Sequence, residues 1–164
     1  MANSNVIEKA KNKIVREFIK DNDIITAINS DKYTPKEPEK YINSHIFDYH
    51  QNPYTLESVQ TFITVQVHIT DRADYNGTYV LSSVEIWIIS HERHMRVSEI
   101  PKVTSNRNDY LSRLIDKLLN GKDGFGLGKL KLITNVEGSF QQDYLYRKMI
   151  FEGKDINNSF CEDE

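Results

Sequence analysis

A long run of alternating residues in the middle of the chain limits the fold more than any other feature. In residues 61–70 every second residue from Ile63 to Ile69 is apolar, so one face of an extended strand is apolar and the other is mixed. A second strand-like segment covers residues 79–91, and Asn76-Gly77 between the two segments is a typical hairpin turn. The pattern predicts a β-hairpin whose strands, of about ten residues each, extend beyond the body of the domain.

Apolar residues at three- and four-residue spacings predict helices on either side of this hairpin. The longest apolar stripe lies in residues 5–20, and a short helical piece follows in residues 23–29. Another amphipathic stripe in residues 108–120 ends before Gly121, which stands where a left-handed helix cap belongs. These helices can bury their stripes on the hairpin.

Two closing strands complete the predicted fold. They cover residues 129–137 and 143–152, around a turn at Gly138-Ser139. The order α-β-β-α-β-β predicts an α+β fold in which helices pack on an antiparallel or mixed sheet. We assign residues 1–152 to a single domain and residues 153–164 to an acidic flexible tail. The predicted core consists of Val65, Val67, Val84, Ile86, Ile88, Leu114 and Leu118.

Residues 30–58 form an irregular segment rich in aromatic residues, which we call the aromatic arm. Three prolines interrupt it and disfavour a helix. A linker exposed to solvent has no need of so many large rings. The arm therefore covers either its own domain or a neighbouring subunit, and the sequence leaves both alternatives open.

Composition excludes several classes of protein. The chain has 164 residues and a net charge of −3, which provides no global attraction to nucleic acid. Its single cysteine, Cys161, excludes a disulfide framework and a cysteine-based zinc site carried by this chain alone. The sequence also contains no apolar run of about 20 residues and no secretory signal, so we expect a soluble, intracellular protein without a membrane partner.

Several short motifs resemble catalytic sites, but each lacks a residue or a spacing that the chemistry of that site requires. Residues 121–129 are rich in glycine, but they lack the hydroxyl of a phosphate loop and connect a helix to a strand. His91 and His94 have a three-residue spacing instead of the four-residue spacing of a zinc protease helix. His45 and His50, which flank Asp48, are a weak candidate for a metal or acid–base site.

A metal-dependent nuclease site is the remaining catalytic candidate. Asp71 and Asp74 precede a strand that contains Glu85, but the lysine expected two residues later is Trp87. We therefore predict that the protein is not an enzyme and binds no cofactor or metal.

The order of elements resembles the tail-terminator and head–tail connector (neck) proteins of tailed bacteriophages. The resemblance covers residues 5–155: a basic amphipathic helix, an aromatic crossing segment ending in Asn52-Pro53-Tyr54-Thr55, a long hairpin, a second helix and a closing strand. It implies a structural virion protein, assembled in the host cytoplasm, that forms a homo-oligomeric ring at the neck. Its partners would be portal, adaptor or tail proteins, and DNA would pass through the channel without specific binding.

The predicted subunit interface combines the hairpin tip, residues 71–78, with the aromatic arm. Aromatic side chains are enriched in interface cores, and exposed rings on a protruding hairpin favour contact with a neighbour. Two other functions stay open: an adaptor or inhibitor module that binds one protein partner, and a small metal-dependent nuclease. The predicted interface residues are Tyr41, Phe47, Tyr49, Tyr54, Arg72, Tyr75 and Tyr79.

Overall fold

A computed structural model describes residues 3–56, 60–72, 79–140 and 143–156 of the chain. Its α+β architecture, with a mixed sheet, confirms the predicted fold class. The helices are α1 (Asn3–Lys20), α2 (Asn22–Ile28) and α3 (Arg107–Leu119). The strands are β1 (Ile46–Phe47), β2 (Thr61–Arg72), β3 (Tyr79–His91), β4 (Lys131–Phe140) and β5 (Tyr144–Ile156).

The five strands form one sheet in the order β1-β2-β3-β5-β4. All neighbouring pairs are antiparallel except β1 and β2, which run parallel. The predicted hairpin is the β2–β3 pair, and β3 lies at the centre of the sheet because β5 pairs with its other edge. The Asn76-Gly77 turn lies outside the described residues.

All three helices pack on one face of the sheet. Ala10, Ile14 and Phe18 of α1 are fully buried and form the stripe that the sequence predicts. Side chains from α2 and α3 join the same apolar cluster as Val65 and Ile86 of the hairpin. Burial of large apolar side chains of this kind is the main stabilising contribution in a domain of this size.

The predicted core is correct in the strands and partly wrong in α3. The five strand residues Val65, Val67, Val84, Ile86 and Ile88 are all buried.

In α3 the fully buried leucine and isoleucine side chains are Leu111, Ile115 and Leu119, whereas Leu114 and Leu118 are only partly buried. A four-residue step along the helix keeps the first three on one line, and the predicted pair flanks that line.

The closing strands differ from the prediction at the turn and at the end. Gly138 and Ser139 lie inside β4 and pair with β5, so the predicted turn is wrong. Gly138 leaves room for the ring of Tyr146, which would have to move if residue 138 carried a Cβ atom. Strand β5 continues to Ile156, beyond residue 152, and residues 157–164 lie outside the described residues.

A buried arginine fixes the connection between β3 and α3. Arg107 is 1% exposed and donates hydrogen bonds to the main-chain oxygens of Ala27, His94 and Arg96. Its guanidinium also forms an ion pair with the Glu99 carboxylate. These contacts satisfy the buried charge and tie α2, α3 and the loop before α3 together.

None of the helices within the described residues combines the length and the apolar composition that a bilayer crossing requires.

Candidate subunit interface: the aromatic face of the sheet

Aromatic side chains occupy the sheet face that the helices leave uncovered. Alternation along each strand directs apolar residues into the helical core on one side and these rings to the other. We define the aromatic face as Trp87 of β3, Phe140 of β4, Tyr144 and Tyr146 of β5, and Tyr54 of the aromatic arm.

Trp87 lies at the centre of the aromatic face. Its ring centroid is 4.7 Å from that of Tyr146 and 5.5 Å from that of Phe140. The Lys148 ammonium lies 5.0 Å from the indole centroid, which is within cation–π range. The indole N–H donates a 2.5 Å hydrogen bond to the carboxylate of Glu85, and Lys148 lies 3.4 Å from that carboxylate. Both polar neighbours therefore hold the indole in place while leaving it half-buried.

A small second core supports these rings. Phe47, Phe62 and Ile89 are buried on the same side of the sheet and pack against these rings, and Phe47 meets Phe62 edge to face at 5.9 Å. Thr64 is fully buried in the same region, and its hydroxyl has no hydrogen-bond partner among the described residues. The aromatic face is thus continuous with a packed apolar cluster on the same side of the sheet, which supports its rings.

The aromatic arm covers one end of the aromatic face. The Tyr54 hydroxyl donates a 3.1 Å hydrogen bond to the main-chain oxygen of Phe140, and its ring meets Tyr144 at 5.4 Å. The His50 ring approaches Trp87 at 5.9 Å. The arm is also more regular than predicted, because it contains β1 and two single helical turns, Pro38–Tyr41 and Pro53–Thr55. These contacts show that part of the arm covers its own sheet.

The structure separates the predicted interface residues in the arm into two groups. Tyr49 and Tyr54 are nearly half exposed, at 47% and 46%, and remain available to a partner. Tyr41 and Phe47 are 1% and 2% exposed, so they have no surface to offer a neighbouring subunit. The interface prediction is corrected for both, because Tyr41 packs against Tyr33 and His45 and Phe47 lies in β1, which pairs with β2.

The hairpin residues of the predicted interface are described only in part. Tyr79 is 37% exposed, and the Lys154 ammonium lies 4.3 Å from its ring centroid. The side chain of Arg72 and the whole of Tyr75 lie outside the described residues. The predicted contact of the hairpin tip with a neighbouring subunit therefore stays a prediction.

His45 and His50 do not form one site with Asp48. His45 is 4% exposed and packs against Tyr41 in the helical core, whereas His50 lies on the aromatic face. Burial, reinforced by the charge of Lys32, lowers the pKa of His45 to about 4. An imidazole held neutral in this way contributes packing to the core.

His91 and His94, the second pair of histidines, also do not form one site. His91 accepts a hydrogen bond from the main-chain N–H of Arg93, whereas His94 Nδ1 lies 2.6 Å from the Thr61 hydroxyl. Burial and the charge of Arg107 lower the pKa of His94. Within the described part of the chain, no three His, Cys, Asp or Glu side chains form a group able to hold a metal ion.

The glycine-rich segment and the acidic residues likewise have structural partners. Residues 121–129 connect α3 to β4, as expected for a loop, and Gly128 lies against the main chain of Lys154. Glu85, which the nuclease alternative requires as a metal ligand, is engaged by Trp87 and Lys148. The Asp71 side chain and Asp74 lie outside the described residues.

Sequence reasoning missed the most prominent members of the aromatic face. Tyr144, Tyr146 and Lys148 recur at every second position, which places them on one side of β5. That alternation was a usable signal. The contact of these side chains with Trp87 and Phe140 could not be predicted from the sequence, because it depends on β5 inserting between β3 and β4.

Comparison with known proteins identifies the family. The model of the phage-related YomW family matches residues 21–152, which include every described strand from β1 to β4 and most of β5. The chain belongs to the YomW family.

The comparison with solved structures gives a distant match to a chain from the virion of a native gene transfer agent (GTA) particle. That chain is 12% identical, with a TM-score of 0.49, and the alignment covers 70% of this chain and 80% of the other. No curated protein matches the sequence.

Proposed function

We propose that this protein is a structural component of a phage virion that forms a homo-oligomeric ring at the neck, as a head–tail connector or a tail terminator. Membership of the phage-related YomW family supports a role in a phage particle. The proposed role requires binding surfaces and no catalysis. DNA would pass through the centre of the ring without specific contacts.

The observation that carries the proposal is the aromatic face. Trp87, Tyr146 and Phe140 form a contiguous, partly buried cluster on the sheet, and they pack against the small second core of Phe47, Phe62 and Ile89. Aromatic residues held in this way supply large contact areas at a low cost in conformational entropy, and they dominate the energetics of many interfaces. A neighbouring subunit that covers this face would bury these rings.

The charge of the chain fits a channel through which DNA moves. A net charge of −3 gives no general attraction to the phosphate backbone, so a ring of such subunits would not retain DNA by charge. A ring also requires head-to-tail contacts between two different surfaces of the same subunit. In the proposed ring the aromatic face supplies one of these surfaces, and the hairpin segment of residues 71–78 supplies the other.

The single tryptophan of the chain makes assembly directly measurable. Trp87 lies on the aromatic face, so burial of this face in a ring should shift its fluorescence to shorter wavelength and reduce quenching by acrylamide. Sedimentation velocity on the same samples should show a defined oligomer at rising protein concentration. A protein that stays monomeric at every concentration, and is also missing from phage particles, would overturn the proposal.

A pair of matched variants tests which surface is used. Tyr144→Ser removes a ring from the aromatic face. The control, Ile133→Ser, removes an apolar side chain of β4 that is 48% exposed. We expect Tyr144→Ser to weaken assembly at least tenfold and Ile133→Ser to leave it unchanged. Circular dichroism and thermal melting establish that both variants fold.

Particles provide the decisive test of location. A phage that lacks its own copy of the gene is supplied with the wild-type protein or with Tyr144→Ser, and the particles are imaged by electron microscopy with a labelled antibody. We expect label at the neck with the wild-type protein and loss of joined heads and tails with the variant. Binding to one soluble partner in a one-to-one complex, without incorporation into particles, would instead establish the adaptor function.

A further inference from the structure

A groove between α1 and the loop before β4 combines an apolar lining with a basic rim. Val6 and Phe125 supply the apolar lining, and Lys9, Lys13 and Arg16 form the rim. The groove encloses about 500 Å³. Its lining residues, all within the described part of the chain, include three cations and no carboxylate.

The loop side of the groove is held firmly in place. Lys13 donates a 2.7 Å hydrogen bond to the main-chain oxygen of Gly124, which joins α1 to the loop. The Ser82 hydroxyl lies 3.3 Å from the main-chain oxygens of both Leu127 and Gly153, so the loop is also joined to β5. Because both walls are fixed, the groove is present before any occupant arrives.

The end of β5 lies beside the loop wall of this groove. Gly153 of β5 lies directly against Leu127, two residues after the Phe125 wall, and the described part of β5 ends at Ile156. Residues 157–164 follow, with the sequence Asn-Asn-Ser-Phe-Cys-Glu-Asp-Glu. Fully extended, these eight residues span about 26 Å, which is enough to reach along α1.

We propose that residues 157–164 bind in this groove of their own chain. Phe160 supplies an apolar side chain for the lining of Val6 and Phe125, and Glu162, Asp163 and Glu164 match the three cations of the rim. Attachment within a few residues of the groove gives the segment a high effective concentration, so modest contacts suffice to hold it. This inference is independent of the proposed ring, since it concerns contacts within one chain.

The single cysteine of the chain allows a direct test. Asn12 lines the groove, so Asn12→Cys places a second thiol beside the proposed position of Cys161. Under mild oxidation with oxidised glutathione, we expect most of the variant to form an intramolecular disulfide, detected by mass spectrometry. The matched control, Lys117→Cys, places a thiol on an exposed position of α3 and should form this bond at least fivefold more slowly.

Further variants test the chemistry of the contact. In the Asn12→Cys background, Phe160→Ser or the rim substitution Arg16→Glu should each lower the rate of disulfide formation at least fivefold. Lys36→Glu, an exposed charge reversal in the arm, should leave the rate unchanged. High salt should also slow the reaction, because the rim contacts are exposed.

Three results would overturn the inference. Equal rates for Asn12→Cys and Lys117→Cys would mean that the segment samples the surface without preference. Disulfide-linked dimers in place of the intramolecular product would mean that the occupant comes from a second copy. Insensitivity to both the Phe160 and the rim substitutions would mean that the groove does not recognise the segment.

Discussion

Arg107 of α3 donates a 2.6 Å hydrogen bond to the main-chain oxygen of Ala27 in α2, and this bond joins the two helices inside the core. Arg107→Met keeps much of the side-chain volume but removes all the donors. The substitution leaves the Glu99 carboxylate without its partner and several buried carbonyl oxygens unsatisfied. We expect the free energy of unfolding, measured with urea, to fall by about 3–5 kcal/mol.

An arginine on the same helix provides the control for this substitution. Arg113 is exposed, and its guanidinium lies 5.2 Å from the ring centroid of Tyr110. Arg113→Met should cost less than about 1 kcal/mol, because an exposed cation–π contact contributes little. Equal effects of the two substitutions would contradict the structural role given to Arg107.

Acid should destabilise the protein through His45. The pKa of His45 is lowered to about 4 in the folded chain, so the unfolded chain takes up a proton first as the pH falls below its ordinary value of 6.5. The contribution of His45 to the free energy of unfolding is therefore constant above pH 6.5. It decreases as the pH falls from 6.5 to 4, by about 2 kcal/mol at pH 5. His94, whose pKa is also lowered, acts in the same direction.

Replacement of His45 by phenylalanine separates this effect from general acid denaturation. The new ring can occupy the site beside Tyr33 and Tyr41, and it carries no titrating group. The loss of stability between pH 7 and pH 5, measured by urea titration at each pH, should be smaller by about 2 kcal/mol in His45→Phe than in the wild type. Tyr33→Phe, which leaves the imidazole in place, should keep the wild-type pH dependence.

Two leucines of α3 test the corrected core. Leu111 is fully buried, whereas Leu114 packs only partly against the core. Leu111→Ala should destabilise the protein by about 3 kcal/mol and Leu114→Ala by about 1 kcal/mol, because the second change removes less buried surface and leaves a smaller cavity. Thermal or urea denaturation of the two variants gives the comparison, and a larger effect at Leu114 would restore the original prediction.

Two glycines test the close contact between β5 and the loop before β4. Gly153→Ala would place a Cβ atom against the main-chain oxygen of Leu127, a position that no rotamer change can relieve. We expect a loss of about 1–3 kcal/mol, as in other overpacked sites. Gly124 has nothing within 4 Å of the corresponding position, so Gly124→Ala should leave the melting temperature within a few degrees of the wild type.

The sequence was most informative where one periodicity ran through a whole element. The alternation in β2 and the helical stripe of α1 fixed both the type and the buried face of each element. It was least informative in the arm, where the two-residue strand β1 is too short to show any period and depends on its pairing with Ile63. The aromatic face was missed for a related reason, since its rings meet only after β5 takes its place between β3 and β4.

Strand β3 is hydrogen-bonded on both edges, to β2 and to β5, over nearly all of its length. Its central amides are therefore hydrogen-bonded within the sheet, and hydrogen exchange there requires the sheet to come apart. Trp87 lies in the middle of this strand, so the emission of the one indole follows the same opening event as the slowest amides. The fluorescence of Trp87 and the hydrogen exchange of the neighbouring β3 amides therefore both report the global unfolding of this domain.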